Sequence, residues 1–297
     1  MTNPLAIDTT RCRACGACVA ECALHWVVPD SPSLVASSER VDPTRPDCLH
    51  CLHCYAVCPA GAIQLSEEYV PLAEADAWRD VRPEALESLL AFRRSTRRFQ
   101  QKPVPHDLIT RVVAAGRHIP SGGSRHAYEF TALTDPAVKQ ALLAEFSHYY
   151  DRIRKLMGNS ALLTIAGLFL GPYERAFLSD PDYGQRMKEL LDRFHAGDDP
   201  VFYHAPAVII IHTPELIPTP QQDSVLAGFA MALMAQTLGL GTCFVSLAEK
   251  GLNANKHCKE LVGIAPEDHI HVVLLLGYPD VTYRRPAPKP AKIVHWV

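Results

Sequence analysis

Apolar positions recur with a helical period along much of the chain. Pro83 stands where a first helical turn begins, Glu84 follows, and Leu86, Leu89 and Leu90 continue the pattern. The same period predicts helices over 106–117, 136–150, 185–195, 222–239 and 252–262. Within 222–239, Leu226, Phe229, Ala230, Leu233, Met234 and Leu238 form one stripe at helical spacing. Short apolar or β-branched runs predict strands at 128–134, 207–212, 242–247, 270–277 and 293–297. Helices and strands mix without regular βαβ alternation, which points to the α+β class.

Other stretches lack periodicity. Residues 28–47, rich in Pro, Ser and Asp, read as an inserted loop, and the acidic stretch 66–83 reads as a linker. Gly239-Leu240-Gly241 follows a predicted helix and lacks the third glycine of a dinucleotide-binding turn. It reads instead as a helix C-terminal turn. There is no P-loop either.

Composition narrows the function classes. An apolar fraction of 48% over 297 residues is enough for a sizeable core. A net charge of −3 with both signs well mixed makes no electrostatic case for nucleic acid or anionic membrane as partner. The opening MTNPLAIDTTRC lacks the regions of a signal peptide, and the longest apolar stretch, Ala161 to Leu170, is far below the roughly 20 residues of a membrane span. The expectation is a soluble, cytoplasmic protein.

Eight of the 10 cysteines crowd into residues 12–58, leaving only Cys243 and Cys258 elsewhere. Without a secretion signal, crowding favours metal ligands over disulfides. The runs are Cys12-x-x-Cys15-x-x-Cys18-x-x-x-Cys22 and Cys48-x-x-Cys51-x-x-Cys54-x-x-x-Cys58-Pro59. Three thiolates on one tight loop reach three irons of a cubane, and the fourth crosses to the other cluster. The spacing therefore assigns Cys12, Cys15, Cys18 and Cys58 to one [4Fe–4S] cluster, and Cys48, Cys51, Cys54 and Cys22 to a second. Structural zinc uses two C-x-x-C knuckles set further apart, so zinc is disfavoured. Ala23, not proline, follows the first run, and His50 and His53 read as loop residues beside the cluster. The spacing is that of a bacterial-type ferredoxin. For Cys243 and Cys258 the expectation is plain packing.

Arg93, Arg94, Arg97 and Arg98 bring four guanidiniums into six residues. Such a group needs neutralising, and a phosphate suits it because arginine forks pair bidentately with phosphate oxygens while Ser95 adds a donor. Pro120-Ser121-Gly122-Gly123-Ser124 is a turn of small residues whose backbone can approach a flat ligand closely. After Gly277-Tyr278-Pro279, Arg284, Arg285 and Lys289 form a second cationic loop.

Taken in order over about residues 84–297, these segments resemble the nitroreductase family of FMN-dependent enzymes. The resemblance implies that Arg93, Arg94, Ser95 and Arg97 hold the FMN phosphate and ribityl chain, with Arg285 and Lys289 completing the phosphate site. It implies that Pro120, Ser121, Gly122 and Ser124 approach the isoalloxazine, with serine at position 124 where the family has asparagine. Leu238 to Phe244 matches the family's L-G-L-G-T-C-F segment, which implies that Ser246 and Leu247 lie near the flavin ring. It further implies a nitroreductase-like α+β sandwich and a homodimer whose subunits share the active sites.

The expected organisation is a ferredoxin-like domain at 1–65 with two [4Fe–4S] clusters, a linker at 66–83 and an FMN-binding domain at 84–297. The expected function is an iron–sulfur flavoprotein oxidoreductase. Electrons would enter the clusters from a low-potential donor such as ferredoxin or another redox protein. FMN would then reduce a small organic acceptor of the nitro, quinone or enone type. Two alternatives stay open. Ser121 to His126 is similar to flavin dehydrogenases that oxidise azoline rings in modified peptides, and a non-enzymatic electron relay or redox sensor would use the same cofactors. No general acid is identifiable; His126 is a candidate neighbour of the ring or substrate.

Overall fold

The computed structural model describes residues 5–8, 10–22, 49, 51–65, 80–159, 165, 171, 180–214 and 218–297. The expected loop at 28–47, Cys48, His50, Ala23 and residues 66–79 of the expected linker lie outside the described residues. Contacts divide the chain into two units, Met1–Asp80 with Ser121–Arg125, and Val81–Pro120 with His126–Val297.

In the first unit, β1 (Leu5–Ile7) pairs antiparallel with β2 (Ile63–Leu65), with Ile7 opposite Ile63. Between them lie two short helices, α1 (Ala17–Ala20) and α2 (His53–Val57). Both are entered through a left-handed residue, Gly16 at φ 77° and Leu52 at φ 60°. The two stand at the same place in the two cysteine runs, directly after the second cysteine of each loop. Glycine adopts this conformation freely, while leucine pays about 1–2 kcal/mol.

The second unit is built on a four-stranded antiparallel sheet. Its strands are β3 (Glu129–Leu133), β4 (Ala207–Thr213), β5 (Gly241–Phe244) and β6 (His269–Gly277), in the order β3-β4-β6-β5. All seven residues of β4 are buried, so helices must cover both faces. Val208 and Ile210 face one core with Leu142, Phe146 and Leu252; Ile209 and Ile211 face the other with Val112 and Met231. The first core is roofed by α5 (Pro136–Met157), α6 (Pro181–His195), α8 (Ser246–Ala254) and α9 (Lys256–Leu261). The second is roofed by α4 (His106–Gly116) and α7 (Pro220–Thr237). The first helix of the unit, α3 (Pro83–Phe92), packs on α7, where Gln236 Nε2 donates to the Leu89 carbonyl at 3.1 Å.

Helix starts follow local chemistry. The Asp135 and Asp180 carboxylates cap α5 and α6, accepting from the Ala137 and Asp182 amides at 2.8 and 2.9 Å, with proline first in each helix. The predicted helix at 252–262 is instead two helices. Asn255 is extended at φ −143°, and its side chain accepts from the His257 amide, so α9 starts afresh. The Gly239 turn is as expected: Gly239 has φ 74°, and the Leu240 amide returns to the Ala235 carbonyl at 2.8 Å. The predicted strand at 242–247 stops at Phe244, because Ser246 opens α8. Residues 293–297 form no strand. Ile293 and Trp296 there are 83% and 91% exposed, with no described strand to pair against.

The helical stripe on α7 is split: its first two members are exposed, while Ala230, Met234 and Leu238 pack, half-buried, against the second core. Leu226 and Phe229 are 43% and 38% exposed, whereas small residues (Ala227, Gly228, Ala232 and Ala235) meet the sheet. An ideal Cβ on Gly228 would lie 2.9 Å from Phe244, so the sheet is approached there without a side chain, while Met231 one turn on is fully buried in the second core.

Candidate functional site

Cys12, Cys15, Cys18 and Cys58 line one cavity in the first unit, closed by Ile7, Ala62 and Ile63. That is the ligand set expected from the cross-over of the two runs, and the thiols fit one cubane. Burial pushes the Cys18 thiol up, and the charges of Cys58, Cys12 and Cys15 add to it, as expected of sulfurs that converge. Cys58 goes the other way, because the Ala62 amide donates to its sulfur at 3.3 Å and neighbouring amides help. Amide donation to a thiolate favours the ligating form. Of the second set, Cys22, Cys51 and Cys54 are half-buried, and His53 is the first residue of α2.

In the second unit the arginine segment leaves α3 and runs extended along the sheet. The Thr96 amide donates to the Thr242 carbonyl at 2.8 Å, and Ser95 bridges Thr242 in parallel sense. Further on, Gln100 N donates to the Tyr278 carbonyl, Asp280 N to the Arg98 carbonyl, and Phe99 bridges Pro279. Extended backbone sends alternate side chains to opposite sides. Thr96 is buried against Gly241. Arg94 stands over the Tyr283 ring at 5.9 Å, and Arg98 pairs with Asp280 at 3.1 Å. The odd positions gather at Cys243. Burial pushes its thiol up, while Arg97, a hydrogen bond with Ser95, and Arg93 pull the other way. Among the described residues no carboxylate pairs with Arg93 or Arg97, as it does with Arg98. Two guanidiniums with no carboxylate partner among the described residues, beside a hydroxyl, fit a phosphate.

The other predicted residues are distributed unevenly. Ser246 is the first residue of α8, and the Leu247 carbonyl accepts from the buried Tyr150 hydroxyl at 2.7 Å. Arg285 and Lys289 are exposed on the irregular segment after Pro279. Pro120 is exposed. Ser121, Gly122 and Ser124 fall in the first unit, in a 3-10 turn where Ser124 takes φ 52°. His126 is also left-handed, at φ 45°, and its Nδ1 lies 3.1 Å from the Tyr128 hydroxyl.

Three features had no sequence signal. Tyr203 lies between Arg97 and Arg193, each 5.9 Å from its ring centre. The buried Asp199 carboxylate holds the loop carrying Tyr203, accepting from the amides of Val201, Phe202 and His204. Cys243 is buried as expected, yet it sits among the arginines and Ser95. Arg97 and Tyr203 are distant in sequence, and no spacing rule connects them.

Among the described residues no helix is long and apolar enough to cross a membrane. Residues 11–62 match a 4Fe-4S dicluster domain, and residues 90–278 match the Nitroreductase family. A nitroreductase with bound FMN from Bacteroides fragilis is similar at 19% identity with a TM-score of 0.52, covering 71% of this chain and 98% of that one. A nitroreductase with bound FMN from Desulfitobacterium hafniense is similar at 19% identity with a TM-score of 0.53, covering 73% and 100%. A BluB-like flavoprotein from Clostridium difficile is similar at 16% identity with a TM-score of 0.53, covering 71% and 99%. These likenesses show a shared fold. No curated protein matches the chain.

Proposed function

The chain belongs to the nitroreductase family, and on that premise we propose that it is an iron–sulfur flavoprotein oxidoreductase using FMN and two [4Fe–4S] clusters. Electrons from a low-potential donor, a ferredoxin or another redox protein, enter at the clusters and leave through FMN to a small nitro, quinone or enone acceptor. The observation that carries this is the gathering of Arg93, Ser95 and Arg97 around Cys243, on a chain whose first unit turns four thiols into one cavity.

FMN, when bound, supplies the exchange between one-electron and two-electron chemistry. The chain supplies binding and orientation. Arg93 and Arg97 offer forked donors to the phosphate, Ser95 adds a hydroxyl, and Arg285 and Lys289 bring further positive charge from the tail. Pro120 to Ser124, Ser246 and Leu247 are assigned to the ring. The division into 1–65, a linker at 66–83, and 84–297 is part of the same proposal. So is a homodimer, supported by the exposed Val225, Leu226 and Phe229 on α7.

The test is anaerobic purification with iron, sulfide and flavin measured per chain. Arg93→Ala with Arg97→Ala should lower bound FMN at least tenfold while leaving cluster absorbance intact. Full flavin retention would overturn the site assignment. Reduction by NAD(P)H as fast as by reduced ferredoxin would overturn the direction of supply.

A further inference from the structure

We propose that Tyr203 is a positioning residue, whose ring holds the Arg97 guanidinium in place for the FMN phosphate. This rests on the FMN reading above. The central carbon of the Arg97 guanidinium stands over the Tyr203 ring, 5.9 Å from its centre, and that of Arg193 stands at the same distance. The two arginines differ in their other partners. Arg193 has its own carboxylate, with Nε 2.7 Å from Asp198 Oδ2. Arg97 pairs with no carboxylate among the described residues, so the ring face restrains its charged end before an anion arrives.

The loop carrying the ring is held against its own backbone preference. Tyr203 and His204 both take left-handed backbone, at φ 51° and 56°. Two such non-glycine residues in a row are strained, and they persist where the surroundings over-determine them. Here three groups do so. The Asp199 carboxylate, 6% exposed, accepts from the Val201 and Phe202 amides through Oδ1 and from the His204 amide through Oδ2, at 3.2, 2.7 and 2.8 Å. Phe202 is buried in the first core. Lys139 Nζ donates to the Ala205 carbonyl at 2.7 Å, just beyond the turn. A strained turn anchored on both sides of Tyr203 fixes where its ring lies.

An arginine already restrained loses less side-chain freedom when it closes on phosphate. The ring therefore contributes to FMN affinity through Arg97. Its face does this, and the hydroxyl has no part in it.

The experiment is FMN titration, by fluorescence, of the anaerobic full chain with its clusters in place and its flavin removed. Tyr203→Leu should raise the Kd for FMN about three- to tenfold, and Tyr203→Phe, which keeps the ring face, should stay within about twofold of the parent. In an Arg97→Ala background Tyr203→Leu should add less than about twofold, because the arginine it acts through is gone. Glycine takes left-handed backbone freely, so Tyr203→Gly removes the ring while relieving the strain, and it should weaken FMN as Tyr203→Leu does. If Tyr203→Leu does not fold, Tyr203→Gly takes its place in every comparison. A parent that binds no FMN, or an Arg97→Ala variant that binds it like the parent, refutes the site and this proposal together. If Arg97→Ala weakens FMN but Tyr203→Leu and Tyr203→Gly do not, the proposal alone fails. It fails too if Tyr203→Phe is as weak as Tyr203→Leu, or if the loss persists in full without Arg97.

Discussion

Gly241→Ala puts the arginine segment to its most direct test. An ideal Cβ at position 241 would lie 2.5 Å from Thr96 Oγ1, 2.8 Å from its Cβ and 2.9 Å from its Cγ2. Thr96 has no easy escape. It is 3% exposed, β-branched and stiff at χ1, and its amide is bonded to the Thr242 carbonyl at 2.8 Å. Relief to ordinary contact requires the segment to lift by roughly 0.5–1 Å, and overpacking of this kind costs about 1–3 kcal/mol. Arg93, Ser95 and Arg97 move with it. Weakening one charge-assisted contact to phosphate by about 1.5–3 kcal/mol raises the Kd for FMN roughly tenfold to a hundredfold. The assay is FMN titration of the flavin-depleted protein by fluorescence, with cluster absorbance as an internal reference. Gly241→Ala combined with Thr96→Gly removes all three clashing atoms and should recover most of the affinity, a positive coupling in a double-mutant cycle. The reasoning fails if Gly241→Ala lowers the melting temperature yet binds FMN like the parent, or if Thr96→Gly gives no recovery.

Two further outcomes follow from buried polar groups in the second unit. Tyr150→Phe removes the donor that satisfies the Leu247 carbonyl at the start of α8. It should cost about 1–3 kcal/mol, read as a fall of about 2–4 °C in Tm per kcal/mol. His271 is pushed down from 6.5 to about 4, first by burial and then by the charge of His269. Between those values the unfolded chain binds more protons, so this contribution to stability is complete above about pH 6.5 and is lost as pH falls toward 4. Urea unfolding from pH 4.5 to 7.5 should show a shallower acid loss in His271→Gln than in the parent; identical slopes would remove His271 from the account.

Much of the fold was legible because its signals are local. Proline after Asp135 marks one helix start and the apolar run at 207–212 marks the strand buried on both faces, whereas the helix expected at 185–195 begins earlier, at Pro181 behind the Asp180 cap. Where expectation failed, a competing local or tertiary effect decided. Asn255 re-capped a helix that periodicity alone continued through. The apolar tail at 293–297 reads as a strand, yet a strand needs a partner, and none of the described strands lies beside it. On α7 both faces are apolar, so periodicity could not say which one meets the sheet. Close packing against Phe244 decided it at Gly228, where any side chain would clash, and Met231 fills the core on the same face.

The candidate sites divide in the same way. By itself the chain singled out the eight candidate ligand cysteines, because three-residue spacing is a property of a few consecutive residues. It also singled out Arg93, Ser95 and Arg97 as a phosphate-suited group; that they share one side follows from the extended course the structure gives the segment. Only tertiary structure brought Cys58 to Cys12, Cys15 and Cys18, set Cys243 beside those arginines, and slid Tyr203 between Arg97 and Arg193. Those contacts join residues far apart along the chain, and they exist because strand pairing and core burial, not spacing, bring them together.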